Sequence, residues 1–283
     1  MNMRWDGLEL PDGKRLIRDT RFGFLKVMPR PSAEEIASYY ATAYQNPCTP
    51  HDPEGRAEMV CELAPQSGRI LDVGCGTGDL LAAFLRRGWE AVGVEPGRQY
   101  AEQARKRGIT VVEGDLTTDV AASLGTFDAI LLAHVLEHLS DPGNMLEVLR
   151  PMLRPGGVLY CETPNDFNPL QEVAVAMQGL PPWWIVLPDH LNYFSISTLS
   201  DFVAGHGFEV RVRTTDFPVE IFLIWGDVYV GNPPAGREMH ARRCRFEEGM
   251  RKAGQEKLLR RIYDKLGDLE VGREAIVCGV RRD

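Results

Sequence analysis

The sequence predicts a doubly wound α/β protein, a mostly parallel sheet with helices on both faces. Three observations carry that prediction. Arg69-Ile70-Leu71-Asp72-Val73-Gly74-Cys75-Gly76-Thr77-Gly78-Asp79-Leu80-Leu81 runs from an apolar stretch through an acid and three alternating glycines into an amphipathic segment. That order reads as a buried strand, a tight turn and a helix start. Short apolar runs then alternate with helical patterns as far as residue 162, which calls for parallel strands joined by right-handed crossovers. Several of these runs end in an acid, placing carboxylates at the strand ends where open α/β sheets hold ligands. A length of 283 residues, 44% hydrophobic and 25% charged, suits one large globular domain with additions.

Taken in order, residues 1–30 hold turn signals at Pro11-Asp12-Gly13 and a short apolar run at Phe22–Val27, which predict a small β-hairpin or an irregular cover. Pro31-Ser32-Ala33-Glu34-Glu35 starts a helix, with Ser32 as N-cap and Glu35 closing a capping box. That helix carries Ile36, Tyr39 and Tyr40, with Tyr44 just beyond it, and the plain reading of these tyrosines is that they pack the helix on the domain. A Pro-rich link and a helix at 54–63 precede the first core strand. Strands are expected at 69–74, 90–95, 109–113, 128–133 and 157–162, with helices at 79–87, at 98–107 and after Asp141-Pro142. A long connection without clear periodicity, 164–196, contains Pro181-Pro182-Trp183-Trp184 and Asp189-His190-Leu191-Asn192-Tyr193. Such a segment inside a compact domain is usually functional or mobile. A helix at 197–205 and a strand at 207–213 follow, then an insertion, 215–272, with a helical run over roughly 237–266, and a last strand at 274–280. The Arg- and Glu-rich run reads as a solvated face with i,i+4 pairs, and alternatively as a subunit contact or a cap.

The glycine turn is D-x-G-x-G-x-G, one residue tighter than the dinucleotide signature G-x-G-x-x-G. Glu90–Pro96 is a second strand ending in an acid, Val111–Leu116 a third, Phe127–His134 a fourth, and Leu153–Tyr160 a turn and fifth strand. Together these motifs over 69–163 resemble the class I S-adenosylmethionine (SAM)-dependent methyltransferases. The stretch from His190 to Phe208 resembles the ubiquinone-biosynthesis-type small-molecule O-methyltransferases. The resemblance implies a Rossmann-like, seven-stranded, mostly parallel sheet with an antiparallel last strand and cover segments from the N-terminus and the insertions. The corresponding division is a cover at 1–50, a SAM-binding core at 51–214 with a substrate-side insertion at 164–196, a helical insertion at 215–272, and the last strand at 273–283. It implies SAM as cofactor, leaving as S-adenosylhomocysteine (SAH), around Asp72, Gly74, Gly76 and Gly78. Glu95, followed by Pro96, is placed to accept from the ribose hydroxyls. The resemblance puts Asp115 and Leu116 beside the adenine, the Ala133 and His134 backbone at the amino-acid part, and Tyr40 over the methionine end.

His134-Val135-Leu136-Glu137-His138 is also the inverted zinc-protease string H-x-x-E-H. That chemistry needs a sustained helix, and Asp141-Pro142 ends any helix here. The O-methyltransferases resembled carry an acid at the place of His134, followed by the same Glu-His pair, and use a divalent ion there. Glu137 and His138 match but His134 departs, so no metal is expected, with Glu137 and His138 the residues that would hold one. A hydroxyl acceptor needs a base; His190 and His138 are the candidates, each weighed against a structural histidine. Trp183 and Trp184 read as packing, or as walls for a flat or sugar substrate.

A net charge of −8 argues against nucleic acid, which needs basic surface. No apolar run reaches a membrane span and the N-terminus lacks a signal-peptide core, so a cytoplasmic location is expected. Six scattered cysteines (48, 61, 75, 161, 244, 278) suit reduced thiols. The expected activity is methyl transfer to a small molecule, to oxygen first, with quinols, phenols, sugars and amines as acceptor classes. A homodimer through 215–272 is a further expectation. A nicotinamide oxidoreductase and a non-catalytic SAM-binding protein stay as alternatives.

Overall fold

The computed structural model describes residues 5–42, 52–64 and 67–282. Strands β1 (Arg15–Arg18) and β2 (Leu25–Met28) form the hairpin expected at the N-terminus. Helix α1 (Ala33–Thr42) opens with the predicted box, the Glu35 carboxylate accepting from Ser32 N–H at 2.7 Å and Ser32 Oγ from Glu35 N–H at 3.1 Å. Tyr44 and the side chain of Tyr40 lie outside the described residues. Helix α2 (Pro53–Cys61) leads into β3 (Arg69–Val73), α3 (Asp79–Leu85), β4 (Glu90–Glu95), α4 (Arg98–Lys106) and β5 (Thr110–Glu113). Next come α5 (Thr118–Leu124), β6 (Phe127–Ala133), α6 (Pro142–Met152) and β7 (Leu153–Pro164).

The second half contains α7 (Pro169–Gln178), β8 (Asn192–Tyr193), α8 (Ile196–Gly205), β9 (Phe208–Thr214), α9 (Glu220–Ile224), α10 (Pro233–Lys252), α11 (Glu256–Asp268) and β10 (Glu274–Arg281). The large sheet runs β5-β4-β3-β6-β7-β10-β9, with β10 antiparallel to both neighbours. It is the seven-stranded Rossmann-like sheet, its final strand reversed. Alternate residues point to opposite faces: Leu71, Ile130 and Leu159 pack under α6 and α8, and Ile70, Leu131 and Tyr160 under α2 and α3. Both faces are covered, as a parallel sheet requires. Strand β8 adds to β2, making a small sheet β1-β2-β8 over a third cluster of Trp5, Phe167, Trp184 and Tyr193.

Three elements depart from the expectation. Helix α5 forms where the sequence pattern predicts no element, capped by the Thr117 hydroxyl accepting from Val120 N–H. Helix α7 forms inside the stretch read as aperiodic; Asn168 and Gln171 close a capping box at its start. Its pattern is inverted, Gln171 being buried while Val173 and Met177 face outward, so no apolar stripe advertises it. The run at 237–266 is two helices, parted at Gly254, whose φ of +68° suits glycine.

Candidate functional site

The glycine turn sits at the carboxyl end of β3. Gly78, with φ +78°, has no room for a Cβ, which would come 2.4 Å from Ile109 Cδ1 and 3.0 Å from Ala104 Cβ. Glu95, ending β4, clips the turn: one carboxylate oxygen accepts from Gly76 N–H at 2.8 Å, the other from Gly97 N–H at 2.7 Å. Burial lifts Glu95 above the usual carboxylate range against the pull of those two bonds. Asp72 is buried at the end of β3 with Oδ1 unpartnered, and burial beside Glu95 pushes it well up. Asp115 and Pro96 are exposed at the same sheet edge, and Leu116 is half-buried beside the core.

Ala133 ends β6, and His134 takes the left-handed conformation, φ +55°, its N–H donating to Glu162 O at 2.8 Å. A bulky residue held there is the strain met at functional turns. Residues 135–140 are a turn and not a helix, so the zinc-protease string lacks its scaffold and that reading is discarded.

Fifty residues downstream, the end of the long connection is pinned onto this turn. Glu137 O accepts from Leu191 N–H at 2.7 Å and Asn192 N–H at 3.0 Å. The Asn192 amide donates to Leu136 O and Leu139 O, and Arg30 donates to Asn192 Oδ1 and Leu191 O. The two candidate bases thereby meet: His138 and His190 rings lie 5.1 Å apart, edge to face. His138 Nδ1 lies 3.0 Å from both the carbonyl and Oδ1 of Asp189. Burial pushes His138 down, but Asp189 and Glu137 outweigh it and hold it above its usual value. Asp189 also accepts from the Tyr39 hydroxyl at 3.2 Å, so the tyrosine assigned to packing has a polar role. His190 is different. Its Nδ1 is buried and unpartnered, and burial lowers the imidazole to about 4.

Glu137, 1% exposed, contacts His134 Nδ1 at 3.2 Å with Oε1, leaving Oε2 unpartnered. Burial raises it, and the surrounding histidines pull it below the usual value. Ligand atoms of Glu137, His138 and His190 all lie within 4.8 Å of one another. A carboxylate and two imidazoles, two of their atoms orphaned, fit a divalent ion. A second triad of His134, Glu162 and Glu274 is equally tight. There, however, Glu162 is occupied by Arg56, at 2.8 and 3.3 Å, and by the Tyr160 hydroxyl, so it reads as a structural ion pair. Trp183 and Trp184 pack edge to face on each other, with Trp184 against Trp5 and Phe167, in the role of core.

Sequence reasoning missed Asp189 as the orienting partner of His138, the Arg30–Asn192 clamp, and the buried acids Asp166, Glu220 and Glu274. No spacing signal connects these groups, which come from separate elements.

A family model described as a methyltransferase domain matches residues 53–212. The chain belongs to this methyltransferase-domain family. It is 36% identical over 137 residues to a ubiquinone biosynthesis O-methyltransferase of Cereibacter sphaeroides, covering 46% of this chain and 53% of the relative. To the enzyme of that name from Caulobacter sp. it is 28% identical over 189 residues, 62% of this chain and 68% of the relative. The chain spans about half the length of most of the curated relatives it matches. Among solved structures, a SAM-dependent methyltransferase from Archaeoglobus fulgidus superposes with TM-score 0.53 at 17% identity, over 81% of this chain and 92% of that one. The [4+2]-cyclase SpnF superposes with TM-score 0.52 at 20% identity, over 90% and 98%. The family's fold is thus shared with a protein named for a different reaction, and chemistry has to be argued from side chains.

Proposed function

We propose that the protein transfers the methyl group of SAM to a small-molecule acceptor, an oxygen nucleophile in the first instance, with His190 taking the proton. The observation that carries this reading is the meeting of His190, its Nδ1 buried and unpartnered, with the Glu137–His138 turn beyond the strand ends. SAM supplies an electrophilic methyl on a sulfonium, displaced in line. The protein's task is alignment and exclusion of water. Glu95 and the Gly74–Gly78 turn hold the nucleoside side, Asp115 and Leu116 flank the base, and Ala133 with the left-handed His134 backs the amino-acid end. His190 is neutral above pH about 4, which leaves Nδ1 open to accept a hydrogen bond from a hydroxyl, and it takes the proton only as the oxygen bonds to the methyl and the hydroxyl becomes acidic. His138, tied to Asp189, orients its neighbour or serves as the second base. The side chain of Tyr40 lies outside the described residues, and its place over the methionine end rests on the family resemblance.

A second reading is favoured by the orphaned Oε2 of Glu137 and Nδ1 of His190: a divalent ion held by Glu137, His138 and His190. Bound there, it would act as a Lewis acid on the acceptor hydroxyl.

The deciding experiment is calorimetric titration with SAM and SAH, with and without Mg²⁺ or Zn²⁺. Micromolar binding that Glu95→Ala abolishes is expected. Metal dependence of acceptor turnover, lost in Glu137→Gln, supports the second reading over the first. No binding of either nucleoside overturns the proposal and returns the chain to nicotinamide cofactors.

A further inference from the structure

The N-terminal arm reaches the histidine pair from outside residues 53–212, the stretch that the methyltransferase-domain model matches. It grips the 189–193 segment at several points. Strand β2 pairs with β8, Leu25 opposite Tyr193 and Lys26 opposite Asn192, and Val27 N–H donates to Leu191 O at 3.0 Å. Arg30, between β2 and α1, donates to Leu191 O at 2.6 Å and to Asn192 Oδ1 at 2.7 Å. Tyr39, on α1, takes the residue on the other flank of His190, its hydroxyl donating to Asp189 Oδ2 at 3.2 Å.

Helix α1 is not held by an apolar face. None of its described side chains is buried: Ile36 and Tyr39 are half-buried, while Glu34, Glu35 and Ser38 are exposed. Packing of one face is what keeps most helices in place, so polar ties matter more here. Lys14 on Glu35, at 2.7 Å, fastens the first turn, and Tyr39 on Asp189 fastens the last.

The far side of the Asp189 carboxylate shows what the tyrosine bond does. Oδ1 and the Asp189 carbonyl oxygen each lie 3.0 Å from His138 Nδ1. Both are acceptors, so Nδ1 carries the hydrogen and Nε2 keeps the lone pair of the neutral ring. Nε2 lies 3.9 Å from Glu137 Oε1, too far for a hydrogen bond between them. A carboxylate on a turn is free to rotate unless its second oxygen is held. With Oδ2 on Tyr39, Oδ1 stays on His138, the arrangement by which an aspartate orients an imidazole in hydrolase triads.

We propose that Tyr39 is a positioning residue of the acceptor site: through Asp189 it fixes His138 with hydrogen on Nδ1 and the bare Nε2 presented beside Glu137. This rests on the methyltransferase reading above. The N-terminal arm is then part of the catalytic apparatus, and the matched domain by itself lacks the hydroxyl that completes it.

The test uses the full chain labelled with ¹⁵N at histidine and read by NMR. With the rings neutral, His138, identified by its loss in His138→Gln, is expected to carry its hydrogen on Nδ1 and to exchange it slowly with water. Tyr39→Phe keeps the ring and removes the hydroxyl. It should speed that exchange tenfold or more, with amide exchange in β3 and β6 within twofold and SAH affinity within threefold of the parent. Tyr39→Leu, which removes the ring as well, should add little. Hydrogen on Nε2 in the parent overturns the proposal, as does slow exchange that persists in Tyr39→Phe. If exchange then quickens in Tyr39→Leu, Tyr39 is a packing residue. Absence of SAH binding by the parent overturns the methyltransferase reading instead, and is seen in a separate titration.

Discussion

Single residues in this site carry opposed demands. Glu95 is assigned to the ribose and yet already spends both oxygens on Gly76 and Gly97 N–H groups, so ligand binding shares or displaces bonds that shape the turn. This residue was legible in the sequence because a strand-end acid in register with a glycine turn has few other uses. Asp166 was not, because nothing in Thr163-Pro164-Asn165-Asp166 says that its carboxylate will be sealed from water. Burial raises its pKa to about 8. The folded protein therefore keeps a proton that the unfolded chain loses above about pH 4. With more protons bound in the native state, stability falls as pH rises from about 4 to about 8. Asp166→Asn is expected to raise the melting temperature at pH 8 by several degrees and leave it nearly unchanged at pH 4. A gain of equal size at both pH values would show that Asp166 ionises normally.

At the scale of elements, the core strands and helices could be read because period-2 and period-3.6 patterns are local. The site's assembly is not local. His190 reaches Glu137 and His138 because the 189–193 segment bonds to the backbone of the 136–139 turn, with Asn192 and Arg30 as the fastening. Helix α7 escaped notice for a related reason: its solvent face is apolar and its inward face includes Gln171. Asn192→Ala strips donors from two buried carbonyls, a loss of about 1–3 kcal/mol. Amide hydrogen exchange at Leu191 and Asn192 should quicken by tenfold or more, with SAH affinity within threefold of the parent. Slow exchange in the variant would mean that the strand pairing of β8 with β2, rather than the asparagine, holds the segment.

Across the whole molecule, the Arg56–Glu162 pair ties α2 to the sheet, and Asp216, 3.7 Å from Arg56 and 3.3 Å from Arg243, extends the tie into the insertion. Removing one partner of a buried pair leaves a stranded charge, about 3–5 kcal/mol of destabilisation. Arg56→Met should lose that much in urea denaturation, and Arg56→Met combined with Glu162→Leu should recover more than half. Additive losses in the double variant would mean that the pair is not coupled.

The position of β10 has a consequence of another kind. This strand is the centre of a β7-β10-β9 triplet, and among the described residues β9 has no other partner in the sheet. During synthesis β9 emerges some sixty residues before the strand that will receive it, and β7 waits longer still with one edge open. The nascent protein thus spends the interval with two unpaired strand borders, the condition under which chains pair with one another instead of with themselves. A ribosome stalled within the 215–272 insertion would leave a product prone to aggregate, however well the glycine turn and its neighbours had folded.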